Sequence, residues 1–207
     1  MLNLGFAVRS VILDIDGSVF DSKKIYRKIL KRALNSGPDS FLNQFYFSTL
    51  EENRSKSILG LRERLDNLIY VFFEQIDVRK PKMFKGVREF LEKLNESNIK
   101  IFASTGSTIG KAAKMMKKAD ISQFFELILG REIPKVKHIS FFAKYLNMSV
   151  REFSRQAIYI GDEPIDMILA KRFGIYGIGI TNTFSSQLLE KFGAEKIVNN
   201  FKELIEL

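Results

Sequence analysis

Hydrophobic positions along the chain gather into short apolar runs separated by stretches of helical spacing. Val11-Ile12-Leu13, Ile99 to Ala103, Ala157-Ile158-Tyr159-Ile160 and Tyr176 to Ile180 are rich in β-branched and aromatic residues and read as strands. Between them, Ala112, Ala113, Met115 and Met116, then Ile139, Phe142, Ala143 and Leu146, then the stretch from Pro164 to Gly174, carry the periodicity of helices with one apolar face. A further helix closes the chain beyond Val198. Strands that alternate with helices in this way suit a parallel α/β sheet, because each parallel crossover needs a connecting element and a helix supplies it.

Between Asp21 and Lys82 the alternation stops. Ile25, Ile29, Leu30 and Leu34 form one helical stripe that ends at Ser36-Gly37-Pro38, and Leu61, Leu65, Leu68, Ile69 and Phe72 form a second. The aromatic stretch Phe41 to Phe47 is open between helix and extended chain, and its expected role is packing within the insertion. Arg79-Lys80-Pro81-Lys82 reads as a return hinge, after which Gly86-Val87-Arg88-Glu89-Phe90-Leu91 resumes the first pattern. The spacing therefore predicts a core of residues 1–21 and 83–207 interrupted by a helical insertion over 22–82.

Two of the strands end in acids. In Val11-Ile12-Leu13-Asp14-Ile15-Asp16-Gly17-Ser18, alternation along an extended segment points Asp14 and Asp16 to one side, and Gly17 allows a tight turn that brings backbone N–H groups toward an anion. The plain alternative is a strand followed by an Asp-Gly turn. Far along the chain Ile158-Tyr159-Ile160-Gly161-Asp162-Glu163-Pro164-Ile165-Asp166 repeats the design, with Pro164 opening a helix and Asp166 one turn beyond Asp162. Ligands of parallel sheets bind outside the carboxyl ends of strands, so these acids are expected to converge. Their mutual repulsion calls for a cation, and an all-oxygen donor set in a chain without cysteine favours Mg²⁺ over zinc.

These residues resemble the motifs of the haloacid dehalogenase-like hydrolases, and the resemblance covers nearly the whole chain. The first motif, Asp-x-Asp-Gly-Thr/Ser, stands at Asp14 to Ser18. The second, a Thr or Ser closing a buried strand, is met by Thr105 in the best register, with Ser104 as the alternative. The third, a basic residue opening a helix, is assigned to Lys135, with Lys137 next to be considered. The fourth, Gly-Asp-x-x-x-Asp, is Gly161-Asp162 with Asp166. The resemblance implies an α/β fold, a Rossmann-like parallel sheet flanked by helices, with residues 22–82 as a small α-helical cap domain.

It also implies a mechanism: phosphate monoester hydrolysis through an aspartyl-phosphate, with Asp14 as nucleophile and Asp16 as acid and base. Mg²⁺ is then held by Asp14, the backbone carbonyl of Asp16 and Asp162, with Asp166 as a direct or water-bridged partner. Thr105, Gly106 and Lys135 hold the phosphoryl group. A phosphomutase shares these core motifs and differs mainly in the cap. The Thr105-Gly106-Ser107-Thr108 stretch is similar to the corresponding turn of phosphonoacetaldehyde hydrolases, but those carry a small residue where Asp16 stands. Dehalogenating members lack an acid there and use no metal.

Composition changes the picture little. Hydrophobic residues make up 45% of 207, an ordinary share for a soluble protein, and the longest apolar run, Leu68 to Phe73, is far too short to span a membrane. With strand-forming residues so near the N-terminus and no cysteine, a cytoplasmic protein is expected. The net charge is +9, and residues 22–82 hold 13 Lys and Arg against 7 Asp and Glu. That excess suits a lid drawn to a small phosphorylated substrate, or simply a solvated helix face along Lys24, Lys28, Lys31 and Arg32. Nucleic acid is not the expected partner, because the aromatics lie in apolar stripes rather than alternating with basic residues. A non-catalytic interaction protein is disfavoured by the intact acids. The sole histidine, His138, reads as a surface or capping residue at a helix start.

Overall fold

A computed structural model describes residues 4–22 and 82–207, which fall in one unit of the chain, Met1–Lys23 with Lys80–Leu207. The cap expected over 22–82 lies outside the described residues except for its two ends. The chain closes where it leaves and re-enters the core: the Asp21 N–H donates to the Lys82 carbonyl at 2.9 Å and the Phe84 N–H to the Val19 carbonyl at 3.0 Å.

The elements run β1 (Ser10–Asp14), α1 (Val87–Glu96), β2 (Lys100–Ser104), α2 (Ile109–Lys118), β3 (Phe125–Leu129), α3 (Lys135–Tyr145), α4 (Val150–Ser154), β4 (Ala157–Gly161), α5 (Pro164–Phe173), β5 (Tyr176–Ile180), α6 (Ser186–Lys191), β6 (Lys196–Val198) and α7 (Phe201–Ile205). The strands form one sheet in the order β3-β2-β1-β4-β5-β6. Every adjacent pair is parallel. The architecture is thus an α/β, Rossmann-like sheet with flanking helices.

Burial explains which strands were easy to read. β1 and β4 are buried along their whole length, as central strands covered on both faces must be, so they appear as unbroken apolar runs. The edge strands are different. β3 is mostly half-buried and β6 is three residues long, and neither stands out in the sequence as a strand. Strand order reverses between β1 and β4, with β2 and β3 on one side and β5 and β6 on the other. This is the switch point at which the loops part and leave a crevice beyond the strand ends.

Side-chain alternation divides the core between the two faces. Ile12 of β1, Phe102 of β2 and Tyr159 of β4 join one cluster with Ile139, Phe142, Phe153, Leu169 and Ala170 from α3, α4 and α5. Phe102 stacks on Phe142 at 4.8 Å between ring centroids and meets Phe153 edge-on at 5.8 Å. By the same period of two, Asp14 and Ser104 follow Ile12 and Phe102 onto the face that α3 covers. Elsewhere, α1 and α7 are joined by Phe90 against Phe201 at 5.5 Å and by Lys93 Nζ donating to the Ile205 carbonyl at 2.6 Å.

Because Phe102 is fully buried at the centre of this cluster, Phe102→Ala is expected to lower the unfolding free energy by about 3–5 kcal/mol. A urea titration followed by far-UV circular dichroism measures it.

Candidate active site

The crevice at the switch point is lined by acids. Asp14 is the last residue of β1 and Asp162 follows the last residue of β4. Asp166 sits in the first turn of α5, where Pro164 starts the helix without an N–H to satisfy. All three side chains are buried, Asp14 with 2% exposure and the other two with none. Each presents a carboxylate oxygen, and these oxygens lie within 4.8 Å of one another.

Their approach depends on small neighbours. A Cβ at Gly161 would overlap the carboxylate of Asp166, so the residue before Asp162 has to be glycine for the two acids to share one pocket. Gly17 serves the other strand end. It adopts φ 93°, a left-handed conformation, and its N–H closes the turn onto the Phe20 carbonyl at 2.8 Å.

Two groups partly offset the repulsion. Lys135, the first residue of α3, places Nζ 2.8 Å from Asp14 Oδ1 and 2.7 Å from Asp166 Oδ1. The Asp166 contact is an ion pair without hydrogen-bond alignment, so that buried oxygen has no hydrogen-bond partner. Ser18 Oγ lies 3.0 Å from Asp162 Oδ1 and 3.3 Å from Asp14 Oδ2, donating its single proton between them. The Asp166 carboxyl is raised to about 7: burial pushes it up most, Lys135 pulls it down and Asp14 pushes it up. For Lys135 burial acts downward, yet Asp14 and Asp166 together carry the ammonium well above its ordinary value.

Three buried carboxylates gathered beside the Lys135 ammonium make an acid-rich, all-oxygen set. Hard oxygen donors drawn this close together fit a divalent cation such as Mg²⁺. Asp14, Asp162 and Asp166 are the side chains that can hold it.

Asp16 takes a different direction. Alternation through an extended segment would point it the same way as Asp14, but β1 stops at Asp14 and the chain turns at Ile15. The half-buried Asp16 accepts a hydrogen bond from Thr105 Oγ1 at 2.9 Å, and Thr105 Oγ1 in turn accepts from the Ser107 N–H at 3.0 Å. Its carboxylate is not one of the three gathered acids, consistent with a backbone rather than side-chain share in cation binding. Gly106 lies in the turn between Thr105 and Ser107, next to Asp16's partner.

The alternatives left open by the sequence also separate. Thr105 reaches Asp16, whereas Ser104, one position earlier on β2, faces α3 and bonds to Tyr159 and His138. Lys135 meets the acids, whereas Lys137 is exposed.

His138 corrects an expectation. It is completely buried rather than at the surface, because β2 and the turn before α3 offer both ring nitrogens partners in the interior. Asn182, beyond the end of β5, was not singled out as a site residue; its Nδ2 donates to the carbonyls of Gly17 at 3.1 Å and Ser18 at 3.4 Å. A polar residue just past a strand end was the available signal for it.

A family model described as haloacid dehalogenase-like hydrolase matches residues 11–180. The chain belongs to that family. It is therefore an enzyme of hydrolase type. The phosphoglycolate phosphatase of Photorhabdus laumondii is 22% identical over 96% of this chain and 91% of its own length. The phosphorylated carbohydrates phosphatase of Thermotoga maritima is 21% identical, covering 96% of this chain and 100% of itself. Among solved structures, a hydrolase of the haloacid dehalogenase-like family from Streptococcus pneumoniae superposes with a TM-score of 0.68 at 21% identity, over 96% of this chain and 97% of that one. Among the described residues, no helix of this hydrolase is long and apolar enough to cross a membrane.

The dependence on Gly161 can be measured against a glycine in open space. Gly161→Ala is expected to lower the unfolding free energy by about 1–3 kcal/mol through overpacking. Gly110→Ala, where a new Cβ meets nothing within 4 Å, is expected to be neutral or stabilising by up to about 1 kcal/mol. Chemical denaturation of the two variants beside the wild type makes the comparison.

Proposed function

We propose that this hydrolase is a Mg²⁺-dependent phosphatase that cleaves a small phosphate monoester through an aspartyl-phosphate. The observation that carries the reading is the meeting of Asp14, Asp162 and Asp166 around Lys135 at the sheet's switch point. Uncatalysed hydrolysis of such esters is extremely slow, so the site has to supply a nucleophile, a proton for the leaving oxygen and compensation for phosphoryl charge.

Asp14 is the nucleophile. One of its carboxylate oxygens attacks phosphorus, the bond from phosphorus to the alcohol oxygen breaks, and Asp16 donates a proton to that departing oxygen. In the second half, Asp16, now ionised, takes a proton from water as the water oxygen attacks phosphorus. The bond to Asp14 breaks and inorganic phosphate leaves. The hydrogen bond from Thr105 holds the Asp16 carboxylate toward the reacting group. Lys135, already 2.8 Å from the nucleophile, brings positive charge to the phosphoryl oxygens, joined by the backbone N–H of Gly106 and, when its hydroxyl turns from Asp16 to the substrate, by Thr105.

Asp14, Asp162 and the backbone carbonyl of Asp16 would hold the cation, with Asp166 as a direct or water-bridged partner. When bound, Mg²⁺ supplies the positive charge that lets an anionic nucleophile approach an anionic ester. Residues 22–82, with 13 basic against 7 acidic residues, carry the charge that would draw phosphorylated substrates in. Phosphoglycolate and sugar phosphates head the substrate panel, being the ligands in the names of two relatives.

Phosphate release from that panel, with Mg²⁺ and then with excess chelator, tests the proposal. Release is expected only with the metal. Asp14→Asn is expected to lose at least roughly 1,000-fold in kcat, and unchanged turnover in that variant contradicts the nucleophile assignment. For Asp16→Ala, turnover is expected to fall while the thermal midpoint stays near that of the wild type. An isomerised phosphate ester without phosphate release identifies a phosphomutase instead.

A further inference from the structure

His138 is the one histidine of the chain, and no step above uses it. It lies one helical turn beyond Lys135 on α3, wholly buried. Its Nε2 is 2.9 Å from the Ile133 carbonyl and 3.2 Å from the Gly130 carbonyl. Carbonyls only accept, so Nε2 carries a hydrogen. Its Nδ1 is 2.8 Å from Ser104 Oγ, and Tyr159 donates its hydroxyl to the same Ser104 Oγ at 2.9 Å.

The polarity of this chain follows from the partners. Burial pushes the His138 ring below its ordinary value, the hydrogen bond to Ile133 works against that, and the nearby Lys135 charge adds to the lowering. A neutral ring with its hydrogen on Nε2 has a bare Nδ1, which accepts from the Ser104 hydroxyl. Ser104 has then used its only hydrogen, which leaves its oxygen free to accept from Tyr159. Hydrogen bonds therefore run one way, from Tyr159 to Ser104 to His138 to the carbonyls of the turn before α3.

Each member stands beside a residue of the site. Ser104 precedes Thr105, and Tyr159 is three positions before Asp162 on the strand that presents it. The carbonyl of Ile133 is two residues before Lys135, with Pro134 between them fixing φ. The same turn is closed by the Ile133 N–H on the Gly130 carbonyl at 3.0 Å and tied to the Thr105 loop by the Arg131 N–H on the Ser107 carbonyl at 2.9 Å.

We propose that His138 is a positioning residue for Lys135: through the buried chain from Tyr159 and Ser104 it holds the Gly130–Ile133 turn against the end of β2 and the middle of β4, and so sets where the ammonium meets Asp14. The proposal rests on the phosphatase reading, in which Lys135 supports the phosphoryl group. It assigns His138 no contact with substrate. Misplacement of about 1 Å at a reacting centre costs on the order of 100-fold in rate, so a ring that fixes the start of α3 acts on catalysis from outside the crevice.

The test is a double-mutant cycle on kcat/KM for p-nitrophenyl phosphate with Mg²⁺, using His138→Phe, Lys135→Met and the two together, each checked for an unchanged thermal midpoint. His138→Phe is expected to lose roughly 10- to 100-fold, and the double variant to be no worse than Lys135→Met, because partners in one function do not add. Tyr159→Phe keeps the ring's packing and removes one donor; a smaller loss is expected, and again none in the Lys135→Met background. Nitrogen-15 spectra of the wild type read the ring directly, since one histidine gives one set of signals, and a neutral ring with hydrogen on Nε2 is expected at pH 7. Losses that multiply with Lys135→Met, or a ring with its hydrogen on Nδ1, overturn the inference while leaving an active wild type and the phosphatase reading intact. An inert wild type takes down both.

Discussion

Mutual repulsion among three buried carboxylates at the end of two neighbouring strands is the constraint around which this structure is arranged. Asp14, Asp162 and Asp166 lie within 4.8 Å of one another by their nearest oxygens, and at that spacing in a protein interior like charges raise each other's proton affinity by whole units. Lys135 and the Ser18 hydroxyl offset part of that cost. Burial, and after it the Asp14 charge, keeps the Asp166 carboxyl raised to about 7 against the pull of Lys135. A divalent cation held by the same residues would offset that repulsion, and this is what suits the pocket to chemistry on phosphate.

The fold supplies what such a pocket needs. Buried central strands hold Asp14 and Asp162 on rigid backbone, and the reversal of strand order between β1 and β4 opens the crevice between them. Gly161 leaves room for the Asp166 carboxylate, and the Gly17 turn carries Asp16 away from the three acids to Thr105. Two carboxylates only two residues apart thus have different surroundings, one beside an ammonium and a hydroxyl, the other on a threonine. That difference suits a division of labour between nucleophile and proton carrier.

Much of this was legible in the chain because it rests on local pattern. Apolar runs that end in Asp14-Ile15-Asp16-Gly17 and Gly161-Asp162, a proline at the start of a helix and the register of Thr105 are all properties of neighbouring residues. The sequence favoured Lys135 over Lys137 only narrowly, since both open the same helix, and the docking of that helix against β2 and β3 brings Lys135 to Asp14. Long-range pairing concealed the rest. The edge strand Phe125–Leu129 is half-buried and lacks the unbroken apolar run of β1. His138 has the sequence context of a surface residue and becomes interior because Ser104, 34 residues away, supplies a partner. Asn182 reaches the Gly17 turn across 165 residues of chain.

The most direct measurement of the central claim is calorimetric titration of Mg²⁺ into the substrate-free protein near pH 7.5, beside Asp162→Ala. A single saturable site that the substitution removes is the expected result. Absence of binding to the wild type, or binding unchanged in Asp162→Ala, contradicts the claim that these buried acids are gathered to hold a cation.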